Sequence, residues 1–180
     1  MPHTTEGPTA GMTVDRAEAF WMQRALELAR LALDAGETPV GAVVVRDGQM
    51  LGEGQECTRR RLDPSAHAEV EAVRAACHGT GTLDLAGATC YTTVEPCLLC
   101  SCAIRLARIA RVVYGTDAGP AGGICGNWRV LTDTTAFPGS EPPEVAGGLL
   151  AGECASLLEL RRRLKRALPG DHVSVAAPRR

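Results

Sequence analysis

One imidazole, two thiols and an unpaired carboxylate are the groups of this chain best suited to chemistry. They lie in two short segments, Asp63-Pro64-Ser65-Ala66-His67-Ala68-Glu69 and Glu95-Pro96-Cys97-Leu98-Leu99-Cys100. His67, Cys97 and Cys100 amount to three metal ligands, and Glu69 remains as a proton carrier. A catalytic zinc site has this composition: three protein ligands and a fourth position open to water. Zinc acidifies such a water toward neutrality, and Glu69 would take its proton and return it to a leaving nitrogen.

A Cys-x-x-Cys pair alone is also found in redox sites and in structural zinc knuckles. A redox role leaves His67 and Glu69 unexplained. A structural zinc wants a fourth Cys or His, yet His3, His78 and His172 fall at a terminus, a helix end and a tail. In the first turn of a helix, both thiols would face unpaired N–H groups and the positive dipole end, which favours thiolate. His67 and Glu69 would diverge by about 200° on a regular helix, so they converge only where a helix begins. Cys57, Cys77, Cys90 and Cys154 read as packing residues, and burial is also expected of Cys102 and Cys125. A zinc-stabilised binding module is the non-enzymatic alternative.

The elements that must position these groups follow from pattern and breakers. A helix is expected from Asp15, as N-cap, to Ala35, with Gly36 as its stop. Strands over 39–45 and 50–54 flank an Asp47-Gly48 hairpin turn. A loop over 55–64 carries Glu56 and the triplet Arg59-Arg60-Arg61. A helix over 66–77 ends before Gly79 and Gly81. A strand over 88–94 leads to a helix opened by Pro96 and running to about Ala107, and then to a strand over 111–115. Strands joined through helices imply a parallel part of the sheet with helices on its faces. A Gly-rich loop over 116–127 and a breaker-rich connection over 137–143 precede a last helix over 153–168. In that helix Leu157, Leu160 and Leu164 are expected inward, with Arg161, Arg162, Arg163, Lys165 and Arg166 mainly outward. One domain would span 15–168, with a disordered leader over 1–14 and a flexible tail over 169–180.

The 180 residues suit one domain. No signal-like segment and no long apolar run is evident, so the eight cysteines point to a reducing cytoplasm rather than a disulfide framework. Residues 1–160 carry 12 basic and 20 acidic side chains, and residues 161–180 carry 7 and 1. An acidic body argues against a large polyanionic partner and the basic end argues for one. Both basic runs read first as solvated faces, with anion recognition by Arg59–Arg61 as a second role.

At His67-Ala68-Glu69 and Pro96-Cys97-Leu98-Leu99-Cys100 the chain resembles the cytidine deaminase-like zinc deaminases, whose His-x-Glu and Pro-Cys-x-x-Cys signature these segments carry. The resemblance runs from about Leu26 to Leu158 and is nearest the tRNA adenosine deaminase and guanine deaminase branch. It rests also on Pro39-Val40-Gly41-Ala42-Val43, Arg111-Val112-Val113-Tyr114-Gly115 and the segment Gly148 to Ala155. It implies an α/β fold, a three-layer α-β-α sandwich around a mixed five-stranded sheet, with one Zn2+ per chain and commonly a homodimer. It also implies hydroxide attack on an amidine-type ring carbon and loss of ammonia.

Departures from the pattern cluster where substrate would be read. Where this branch normally has an Asn that hydrogen-bonds the purine, this chain has Glu56. An Asn offers a donor and an acceptor, whereas an ionised Glu offers acceptors only. The tRNA-editing pattern is also lost at Gly139-Ser140-Glu141, where Asn-His-Arg is usual, and at 121–125. The expected contacts to substrate are Glu56, Ala68 and Trp128, the last either covering a bound ring or packing in the core. On these grounds a free nucleobase, nucleoside or base-like metabolite ranks first as substrate, with tRNA adenosine-to-inosine editing at a wobble base second.

Overall fold

In the computed structural model, which describes residues 13–167, alternate residues of each inner strand feed two separate cores. The elements in chain order are α1 (Val14–Asp34), β1 (Gly41–Arg46), β2 (Gln49–Gln55), α2 (Thr58–Arg61), α3 (Ala68–Thr80), β3 (Thr89–Val94), α4 (Leu98–Leu106), β4 (Arg111–Thr116), β5 (Glu144–Gly147) and α5 (Ala151–Ala167). The sheet order is β2-β1-β3-β4-β5. β1 is antiparallel to both β2 and β3, while β3, β4 and β5 run parallel. Ala42, Val44, Cys90 and Val112 meet Ala68, Ala72 and Ala76 of α3 and Ile104 of α4. Val43, Val45, Tyr91 and Val113 meet Trp21, Met22 and Leu26 of α1 and Cys154 of α5. The expected mixed five-stranded sheet between two helical layers is therefore present.

Local chemistry accounts for most boundaries. Asp47 and Gly48 both have positive φ, 53° and 72°, as a tight two-residue hairpin turn requires. The small residues Ala68, Ala72 and Ala76 let α3 lie directly on β2, where a Cβ at Gly54 would overlap the Ala68 carbonyl and the Ala72 amide.

Several details differ from the sequence reading. Thr13, not Asp15, is the N-cap of α1, and Asp15 sits in the first turn, where its charge suits the dipole. The 55–64 loop contains the short helix α2. The third helix continues through Gly79 to a left-handed C-cap at Gly81, because one interior Gly costs only about 1 kcal/mol. Leu160 and Leu164 are 44% and 42% exposed rather than inward. The cause is that α5 outruns the layer beneath it: Leu157 still packs on the core, whereas residues 162–167 are all exposed. Arg161 is half-buried, and its guanidinium donates to the Gly36 carbonyl at 2.5 Å. Residues 1–12 and 168–180, which hold most of the expected leader and all of the expected tail, lie outside the described residues. Among the described residues no helix is long and apolar enough to cross a membrane.

Candidate active site

Two helix starts converge on the chemistry. Asp63 accepts the Ser65 amide (2.8 Å) and hydroxyl (2.6 Å), which turns the chain into α3 with His67 as an extended N-cap residue. Cys97 is the extended N-cap of α4, and Cys100 follows within its first turn. α3 and α4 share one face of the sheet, so both positive helix ends point at the same place. His67 Nδ1, Cys97 Sγ and Cys100 Sγ are mutually 3.6 Å apart. Zinc–sulfur and zinc–nitrogen bonds of ordinary length on a tetrahedron place such donors about 3.5–3.8 Å apart. The donor set and its spacing therefore fit a zinc ion held by three protein atoms.

Glu69 lies beside this triad, not within it. Its Oε2 is 3.2 Å from Cys100 Sγ, and its Oε1 accepts the Thr92 hydroxyl at 3.0 Å. Burial pushes its carboxyl up to about 7, a value suited to taking and returning protons near neutrality. Cys97 is drawn down to about 4, chiefly by the hydrogen bond from Cys100, with His67 adding to it. His67 rises to about 9, chiefly through its bond to Cys97. The cluster thus stabilises a thiolate against a positive charge, and a divalent cation bound there would displace the protons.

A cavity of about 330 Å³ opens over the triad, lined by Thr38, Val40, Glu56, Val94, Glu95 and Ala118 together with His67, Glu69, Cys97 and Cys100. That is at the small end of ligand pockets. A larger groove, about 530 Å³, runs along α3 near Cys77, His78 and Leu83, but none of the triad residues lines it. Of the expected substrate contacts, Glu56 lies in the cavity wall. It is buried, accepts the Thr58 hydroxyl at 2.9 Å, and is pushed upward chiefly by burial. Ala68 is fully buried, and its backbone lies near enough to Glu56 to oppose slightly the upward push of burial on that carboxyl. Trp128 is 69% exposed, belongs to neither core, and does not line the cavity. Cys125 is exposed rather than buried, because the loop that carries it lies over the rim; Cys102 is half-buried. The other four expected packing cysteines are buried or half-buried.

Sequence reasoning passed over four residues. Thr92 orients Glu69, and a Thr facing inward from a strand that leads to the cysteines was the available signal. Glu37 and Glu95 are buried carboxylates next to Thr38 and Pro96. Arg105 of α4 is buried and donates to the carbonyls of Leu131, Asp133 and Ser140 at 3.0, 2.8 and 2.7 Å. Nothing local to Arg105 announces those partners.

Residues 15–116 match the family model described as the cytidine and deoxycytidylate deaminase zinc-binding region. The tRNA-specific adenosine deaminase of Streptococcus pyogenes serotype M1 is 35% identical over 142 residues, 79% of this chain and 81% of that protein. A solved structure from work on A-to-I editing by tRNA:A34 deaminases at the wobble position superposes with a TM-score of 0.73 at 37% identity. It covers 77% of this chain and 99% of that one. The guanine deaminase structure from Bacillus subtilis is 39% identical with a TM-score of 0.54, over 59% of this chain and 66% of that one.

Proposed function

We propose that this chain, which belongs to the cytidine and deoxycytidylate deaminase family of zinc-binding hydrolases acting on C–N bonds, converts adenosine to inosine in a tRNA anticodon. One observation carries the choice of substrate. The likeness to the tRNA:A34 deaminase structure extends over 99% of that chain at 37% identity, against 66% of the Bacillus subtilis guanine deaminase chain at 39%, and the Streptococcus pyogenes relative named for tRNA adenosine is matched over 81% of its length. This reverses the order in which the sequence alone ranks the two substrates.

In this reading His67, Cys97 and Cys100 hold the metal, and the chemistry it supplies when bound is a water acidified toward neutrality. Glu69 is the group placed to hold and move a proton at its carboxylate, between water and the departing amine. Thr92 fixes the Glu69 carboxylate, and burial keeps bulk water from competing for the proton. The two helix N-termini favour the anionic thiolates. Leu98, Leu99 and Leu106 are exposed apolar side chains on α4, which supports a homodimer through that face.

A second reading, a free heterocycle as substrate, is favoured by Glu56: a buried, acceptor-only group in the cavity wall suits a ring edge that presents N–H donors. A synthetic anticodon stem-loop with adenosine at the wobble position, assayed for inosine beside ammonia release from guanine, adenine and their nucleosides, separates the two. Inosine in the stem-loop is the expected result. Turnover of a free heterocycle with the stem-loop untouched would replace the first reading by the second.

A further inference from the structure

Both lips of the cavity rest on buried carboxylates whose partners are backbone amides. Glu95, 2% exposed, accepts the Ala118 amide on Oε2 at 3.0 Å, and the Ile124 and Cys125 amides on Oε1 at 2.8 and 2.7 Å. These bonds gather the irregular 117–125 segment around one side chain. The same segment is stitched to the cysteine-bearing turn: the Gly123 amide donates to the Pro96 carbonyl at 2.8 Å, and Gly122 bridges Cys97. Gly122 rests so closely on the Glu95 carboxylate that a Cβ there would overlap it. On the opposite lip Glu37, 1% exposed, accepts the Arg59 amide at 3.2 Å and the Arg60 amide at 2.7 Å. These amides lie just beyond Glu56 and Thr58.

Glu95, Asp117 and Cys125 also bring potential metal-binding atoms within 4.8 Å of one another. The Glu95 oxygens are already taken by three amides, however, and the other two residues are exposed, so this group is a loop anchor and not a second metal centre. A carboxylate suits such anchoring. It is acceptor-only with about four acceptor sites, and irregular backbone leaves N–H groups that must be paired when buried. The buried charge in turn needs those amides. Each lip is thereby held in one arrangement before substrate arrives, which reduces the ordering that binding must supply.

We propose that Glu95 and Glu37 are positioning residues that preform the two lips of the cavity, and so govern how tightly substrate is selected rather than the chemical step. Backbone amide exchange tests this without a substrate, and kinetics on the adenosine stem-loop test it with one. Only the kinetic arm rests on the tRNA reading.

Glu95→Gln is expected to speed exchange across 117–125 by about tenfold or more while β1 and β3 stay protected. Glu37→Gln is expected to do the same across 58–61 alone. Each should raise KM on the order of tenfold with kcat within about twofold and zinc content unchanged. Gly122→Ala, which keeps the carboxylate but pushes the loop from it, should reproduce the Glu95→Gln profile. Unchanged exchange in the lips overturns the proposal, as does a collapse of kcat at unchanged KM, which would put Glu95 in the chemistry. If the wild-type chain makes no inosine, the tRNA reading fails and the exchange arm still decides the role of the two carboxylates.

Discussion

Two positions separate His67 from Glu69, a spacing that would turn their side chains apart inside a helix. They meet because His67 is an extended cap residue and Glu69 is in the first turn. The cap aims the imidazole at the thiols, and the turn brings the carboxylate against Cys100 and Thr92. Glu69→Gln keeps the shape but cannot carry the proton. It is expected to lower kcat by about 10²–10⁴, with metal analysis still giving one zinc per chain; a variant with near wild-type kcat would place the base elsewhere. Sequence alone exposes this group well, because ligand type, x-x spacing and helix-start residues are local properties. Trp128 and Cys125 are less legible. Whether an aromatic or a thiol on a Gly-rich loop turns inward depends on what the loop rests upon, and here it rests on Glu95.

The β2–α3 contact is a close helix–sheet approach beside the site, and it depends on small residues from both sides. Gly54→Ala drives a methyl group into the Ala68 carbonyl and the Ala72 amide. It is expected to cost roughly 1–3 kcal/mol by overpacking, read as a lower denaturation midpoint. Because Ala68 neighbours His67, zinc affinity should weaken in the same variant; unchanged stability would mean that α3 can withdraw from the sheet freely. β5 (Glu144–Gly147) was expected only through the family resemblance, whereas the major helices and the other four strands were readable from periodicity and breakers. α2 was not, since Thr58–Arg61 is four polar or charged residues with no apolar period to reveal a helix. The role of Arg105 was hidden for a different reason. A charged residue on an amphipathic helix is expected at the surface, yet this one is buried over the Phe137 ring at 4.9 Å and ties down carbonyls of a distant loop.

Across the molecule, the parallel strands β3 and β4 are joined through α4, and the turn from β3 into α4 carries the cysteines to the carboxyl end of a central strand. Open α/β sheets offer their binding crevices at such ends. α3 delivers His67 and Glu69 to the same end from the neighbouring layer, so the site depends on the sheet, the α3/α4 layer and both helix starts together. The family model stops at residue 116, short of the loop held by Glu95, which is why the reaction is more legible than its substrate. Metal bound by three residues from two helices should also stabilise the whole fold. The most direct test strips the chain of zinc with a chelator and then restores it, measuring ammonia release across the adenosine stem-loop and the free heterocycles at each stage. Turnover of one of these that disappears with the zinc and returns with it is the predicted result. Equal turnover by the stripped chain, or none from any substrate by the chain with one zinc bound, would contradict the assignment.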